Sequence, residues 1–160
     1  MVNHFEVFSL PISLKVDHSA LKKKFYVLSR TYHPDHFTLE SQDKQDEALA
    51  MTGAINLAYK VLADDMSRIK HILELNDIMI DEGKQMLSPD FLMEMMELNE
   101  ELDEDSPARV AQLEKELYAE VSKIIENYDE ATTPREDLLK IKDYYFRKKY
   151  LQRILDRTGG

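Results

Sequence analysis

The sequence predicts an all-α protein built as an N-terminal helical hairpin, a short joint and a C-terminal three-helix bundle. Three observations point there. Only 4 glycines and 5 prolines interrupt 160 residues. Apolar residues recur at three- and four-residue spacing, and no stretch alternates apolar and polar residues long enough to require a strand. Finally, Ser-Pro or Thr-Pro pairs stand three times in the second half. Each sets a capping oxygen ahead of a proline whose missing N–H costs a first helical turn nothing.

Asp17 is a good N-cap, and the helix after it places Leu21, Phe25, Leu28 and Tyr32 on one stripe. That helix must stop near His33, because Pro34 disfavours helical geometry in the residue before it. A second helix is predicted from Ser41 to Leu62, with Ala48, Met51, Ile55, Ala58 and Leu62 inward. Two helices of similar length joined by a short polar loop make an antiparallel hairpin. The apolar segment Ile69–Leu75 follows, and residues 76–87, with Gly83, have the character of a linker.

Ser88-Pro89, Ser106-Pro107 and Thr133-Pro134 then open helices over 89–104, 107–129 and 134–157. Thr133 with Glu136 fits a capping box, and Gly159 closes the last helix. The expected domains are therefore 1–75, a linker over 76–87, and a three-helix bundle over 88–160.

Charge sharpens this division. The net charge is −10, yet Met1–Leu75 holds 10 acids and 9 bases while Asn76–Gly160 holds 21 and 12. Within the second half, Asp90–Asp105 carries 8 acids and no base, whereas Pro134–Arg157 carries 8 bases and 4 acids. The acidic balance argues against a nucleic-acid partner, which needs a basic face. With no cysteine, disulfides, thiolate metal sites and cysteine nucleophiles drop out. No apolar run is long enough to cross a membrane, and Met1–Leu10 lacks the features of a signal peptide. A soluble, cytoplasmic protein is expected, with no cofactor and no metal.

The hairpin loop carries His33-Pro34-Asp35, between Tyr32 and His36-Phe37. Pro34 stiffens the backbone, and Asp35 offers a carboxylate that an arginine can grip with a forked, charge-assisted bond. Upstream, Lys22, Lys23, Lys24 and Arg30 give the helix a basic exterior suited to an acidic partner. Other readings of these residues are thinner. His33 and His36 lack further ligands for a metal, His33 with Asp35 lacks a nucleophile, and lysines on a helix are ordinarily a solvated face. In this setting the sequence resembles the J domain, the module that stimulates ATP hydrolysis by DnaK-type chaperones. The resemblance implies that His33, Pro34 and Asp35 form the essential triplet, with Lys22, Lys23, Lys24 and Arg30 as electrostatic support. His36 departs from the lysine found in many J domains.

The acidic helix is informative in a different way. Phe91, Met95, Leu98 and Leu102 share one narrow face, the expected core stripe. Leu92, Met93 and Met96 lie off it, bordered by Glu97, Glu100 and Glu104. A helix in a three-helix bundle need bury only one face. The second apolar face therefore suits either a partner with an apolar and basic surface or additional internal packing, and spacing alone does not choose.

An N-terminal J domain, a short joint and this bundle together resemble the HscB family of iron–sulfur assembly co-chaperones. The residues that carry the likeness are His4-Phe5, Leu10-Pro11, Tyr32–Asp35, Ala54-Ile55-Asn56, Arg68 and Phe91–Glu104. The resemblance implies that Leu92, Met93, Met96, Glu97, Glu100 and Glu104 bind an IscU-type scaffold. An aromatic on the final helix joins them, best matched by Tyr150 although Tyr144, Tyr145 and Phe146 blur the register. It further implies an HscA/DnaK-type ATPase as partner and a non-enzymatic adaptor role, since no phosphate-cradling glycine loop is present. A J-domain co-chaperone with a different client is the alternative.

Overall fold

The computed structural model describes residues 1–81 and 87–157. Among these the chain is all-α: seven α-helices, one 3₁₀ turn and no strand. Gly83 of the expected linker and Gly159 of the expected C-terminal cap lie outside the described residues. The chain divides into two compact units, Met1–Leu75 and Asn76–Gly160.

The first unit opens with a helix that the sequence pattern did not reveal, α1 (His4–Val7). Four residues form one costly turn, so this helix depends on its ends. The Asn3 side chain accepts the Phe5 amide, and His71 Nε2 accepts the His4 amide at 3.1 Å. At the other end Ser9 takes a left-handed φ of 53°. Its amide reaches the Glu6 carbonyl while Leu10 N–H reaches Phe5, a Schellman close. Phe5 and Phe8 are thereby driven into the core.

Helix α2 (His18–Thr31) is capped by Asp17, whose carboxylate accepts the Ala20 amide. Leu21 is buried, and Phe25, Leu28 and Tyr32 are half-buried along the predicted stripe. After the 3₁₀ turn Pro34–Phe37 comes α3 (Gln42–Ala63), capped by Ser41. Ala48, Ile55, Ala58 and Leu62 are buried as expected; Met51 is not, because it faces a groove beside the loop and stays 38% exposed. Phe25 and Tyr59 stack at 4.4 Å between ring centroids.

Helix α4 (Asp65–Leu75) extends the predicted Ile69–Leu75 segment by a turn, with Asp64 accepting from the Ser67 amide and hydroxyl. Arg68 on this helix is 4% exposed. It donates to the Leu14 carbonyl at 3.1 Å, the Leu62 carbonyl at 2.6 Å and Asp65 Oδ1 at 2.6 Å. One guanidinium thus fastens the segment before α2, the end of α3 and the start of α4. His71 is buried one turn further along, its ring 4.6 Å from that of His4 and stacked on Phe5. Burial, reinforced by His4, pulls the His71 pKa down to about 4. Burial also lowers that of His4.

The second unit contains α5 (Pro89–Glu100), α6 (Ser106–Asn127) and α7 (Arg135–Arg157). The core comprises Phe91, Met95 and Leu98 from α5, residues such as Val110 and Val121 from α6, and Ile141, Tyr145 and Leu151 from α7. Helix α5 runs alongside α7 in the same direction. The Phe91 ring meets Tyr150 edge-on at 6.3 Å, and further along Arg157 donates to Asn99.

Four expected boundaries shift, the smallest consequence being that α6 ends at Asn127 rather than residue 129. Helix α5 ends at Glu100 rather than residue 104, so Leu102 leaves the core stripe and is 37% exposed. Carboxylates at 100, 101, 103, 104 and 105 crowd the negative end of the helix dipole. In addition, Asp103 Oδ1 accepts the Asp105 amide, closing a competing turn. Ser106 does not cap α6. It is the first helical residue, and its hydroxyl accepts the Asp103 amide at 2.9 Å. Thr133 likewise accepts the Asp129 amide to close the α6–α7 loop, and α7 begins at Arg135.

Candidate functional site

Two surfaces, one in each unit, gather the residues singled out from sequence. The first is the loop after α2. Tyr32 ends that helix, and its carbonyl lies 3.1 Å from the Thr52 hydroxyl of α3, whose single proton it shares with the Ala48 carbonyl at 2.9 Å. Pro34 opens the 3₁₀ turn, where its fixed φ is already suitable and its missing N–H is not needed. The far end of the loop is held by Gln45, whose amide donates to the Glu40 and Thr38 carbonyls. Loop ends are therefore pinned from α3, and the tripeptide between them is presented outward.

Within the tripeptide, His33 Nδ1 accepts the Asp35 amide at 3.2 Å. A nitrogen that accepts carries no proton, so the 3.7 Å approach of Nδ1 to the Asp35 carboxylate is not an ion pair. The carboxylate, 87% exposed, is left free to accept donors from elsewhere. The backbone that carries Asp35 is thus held, and its carboxylate is offered to solvent.

On α2 the basic exterior is only partly as expected. Lys22, Lys23 and Arg30 are exposed, with the Lys22 ammonium 5.9 Å from the Tyr26 ring centroid. Lys24 departs from that row: it turns inward and donates to the Phe8 carbonyl at 3.1 Å. Tyr26 and Val27, at 52% and 53% exposure, join the outer face instead. Their place was legible, since both fall opposite Leu21 on a helical wheel.

The second surface lies on α5. Met93 and Met96 are 61% and 57% exposed, whereas Met95 between them is fully buried. Leu92 is half-buried and Glu97 and Glu100 are exposed on the same side. Glu104 stands apart from this face, in the turn beyond the helix. On α7 the four aromatics differ in burial. Tyr144, Tyr145 and Phe146 belong to the core, and Tyr150 alone of the four is half-exposed, against the first turn of α5. The Arg147 guanidinium covers the Phe91 ring at 4.9 Å and donates to the capping Ser88 hydroxyl, fixing the start of α5.

What this arrangement can do is bind. It offers an exposed carboxylate after a helix bearing exposed Lys22, Lys23 and Arg30 in one unit, and an apolar, thioether-rich helix face rimmed by carboxylates in the other. Among the described residues no helix is long and apolar enough to cross a membrane.

Known proteins share this organisation. Residues 3–71 match the family model of the DnaJ domain, and residues 87–158 match that of the HSCB C-terminal oligomerisation domain. The co-chaperone protein HscB homolog of Acinetobacter baylyi is 33% identical over 156 residues, covering 97% of this chain and 88% of that protein. The homolog from Vibrio vulnificus strain YJ016 is 41% identical over 104 residues, or 64% of this chain. That match spans 61% of the Vibrio protein's own length. Among solved structures, chaperone HscB from Vibrio cholerae superposes with a TM-score of 0.77 at 26% identity, covering 99% of this chain and 96% of the other. Human co-chaperone protein HscB gives 0.81 at 26% identity, covering 99% and 81%. The helical fold, the N-terminal J domain and the sequence likeness thus agree, and the chain belongs to the HscB family of co-chaperones rather than to a family of enzymes.

Proposed function

We propose that this chain is an adaptor between an HscA/DnaK-type chaperone ATPase and an IscU-type iron–sulfur scaffold protein. Residues 1–75 engage the ATPase through His33, Pro34 and Asp35, with Lys22, Lys23 and Arg30 steering an acidic surface toward the loop. Residues 88–160 hold the scaffold on Leu92, Met93, Met96, Glu97 and Glu100, with Tyr150 at the edge and Glu104 as an outlying charge. The ATP chemistry belongs to the partner, whose hydrolysis-competent conformation the loop favours by binding it better. Tethering both partners to one chain raises the concentration of scaffold at the chaperone.

The observation that carries this proposal is the exposure of Met93 and Met96 on a helix that already buries Phe91, Met95 and Leu98. Folding has no use for a second apolar face, and exposed apolar patches mark binding surfaces. The test is calorimetric titration of an IscU-type scaffold onto the full chain. Binding is expected, weakened by Leu92→Ala with Met96→Ala while helical circular dichroism stays the same. Unaltered affinity in that variant would sink the docking assignment, and absence of any binding would favour a different client. Independently, Asp35→Asn should abolish stimulation of the chaperone's ATPase while scaffold binding survives.

A further inference from the structure

The docking face is built on sulfur. The chain has 8 methionines and no cysteine, so thioethers are its peroxide-reactive sulfur groups. Their exposures on α5 divide sharply: Met93 and Met96 are 61% and 57% exposed, and Met95 is 0%. At about 100° per residue, Met93 and Met96 lie about 60° apart, with Glu100 between them, Leu92 on one flank and Glu97 on the other. The two reactive side chains are therefore the apolar centre of the patch, while the methionine that supports the helix from beneath is shielded.

We propose that Met93 and Met96 are oxidation sites through which hydrogen peroxide releases the partner from this face. The inference rests on the scaffold-docking role proposed above. In each event one S–O bond forms and the peroxide O–O bond breaks. Sulfur loses two electrons, and the peroxide is reduced to water, its two protons leaving with that water. The product is a polar sulfoxide where an apolar, adaptable thioether had been. A sulfoxide oxygen accepts hydrogen bonds, and its neighbours Glu97 and Glu100 are acceptors too when ionised. Burying it under a partner therefore leaves it poorly satisfied. Because Met95 is enclosed, the helix itself survives the modification, and reduction of the sulfoxides by a methionine sulfoxide reductase restores the face.

The test uses the full chain, treated with hydrogen peroxide and mapped by peptide mass spectrometry, then titrated with an IscU-type scaffold by calorimetry. Met93 and Met96 should gain one oxygen each before Met95 does, with helical circular dichroism preserved. Affinity should fall at least about ten-fold and return after treatment with reductase. Exposed Met1, Met51 and Met79 oxidise as well, so the variant Met93→Leu with Met96→Leu separates their effect. Its affinity is measured before and after treatment, and whatever its starting value it should not change with peroxide. Equal affinity of the chain oxidised at 93 and 96 overturns the switch alone, as does equal loss in the leucine variant. Failure of the untreated chain to bind the scaffold overturns the docking proposal and the switch with it.

Discussion

Acid should loosen the first unit through one imidazole. His71 Nε2 accepts the backbone amide of His4, so it caps an otherwise unpaired donor at the start of α1. Protonating that nitrogen turns the acceptor into a donor facing a donor, in a side chain only 6% exposed. The folded pKa is about 4 against an ordinary 6.5. Above pH 6.5 the ring is neutral in both states and costs nothing. As pH falls below 6.5 the unfolded chain takes up a proton that the folded chain refuses, and stability declines until the folded ring titrates near 4. Each unit of pH in that window removes about 1.4 kcal/mol, so about 2 kcal/mol is lost by pH 5. His4, whose pKa is shifted the same way, adds to the loss. Urea unfolding between pH 7.5 and 5, followed by the methyl resonances of Ile55 and Leu62, measures it. The His71→Leu variant should start less stable but decline by about 2 kcal/mol less over that range. An equal decline in variant and parent, or a His71 ring that titrates at 6.5 by NMR, would refute the reasoning.

Other perturbations follow from single contacts. Arg68→Met removes the donors to the Leu14 and Leu62 carbonyls and should cost about 3 kcal/mol in urea unfolding, nearly all from those buried acceptors. The Asp65 contact contributes little of this, because Asp65 is 60% exposed. Ser9→Gly relieves the left-handed φ of 53° and should stabilise the same unit by roughly 0.5–1 kcal/mol, whereas Ser9→Val should destabilise it. Thr52→Val deletes the hydroxyl held at the Tyr32 carbonyl. It should cost about 1 kcal/mol and speed amide exchange at His33 and Asp35, with a higher concentration needed for half-maximal ATPase stimulation.

The long helices were legible because each buries one stripe, and a stripe imposes a period. Leu21 with Leu28, Ile55 with Leu62, and Phe91 with Met95 and Leu98 announce their elements by spacing alone. The surplus face of α5 was legible for the same reason, as apolar residues out of phase with the core. What escaped was set by contacts between residues distant in sequence. Helix α1 is too short to hold a period and stands on His71, 67 residues away. Lys24 looked like part of a basic row until the Phe8 carbonyl claimed its ammonium. Tyr150 could not be told from Tyr144, Tyr145 and Phe146 by pattern, since adjacent aromatics on a helix are distinguished only by what packs against them. At Ser106 and Thr133 the right residue types were present, but neighbouring aspartate turns used their oxygens differently.

The two proposed surfaces demand opposite mechanical properties, and their construction differs accordingly. Recognition of a carboxylate by forked donors is directional, so its strength depends on the anion being held in place before the partner arrives. The loop meets part of that need by holding its backbone with a locked proline, a 3₁₀ turn and α3 side chains at both ends. Ordering such a loop on binding would cost about 1–2 kcal/mol per residue in backbone entropy. Pre-ordering removes that cost, which is the ground for expecting Thr52→Val to weaken the proposed activity through the loop backbone. The α5 face needs no such direction. Thioethers gain from contact in many orientations, so Met93 and Met96 can repack under different apolar surfaces while Phe91 and Met95 hold the backbone still. Strength there grows with area covered rather than with angle. Conservative changes at the loop should therefore be more damaging than conservative changes on α5, with Asp35→Glu failing where Met96→Leu succeeds.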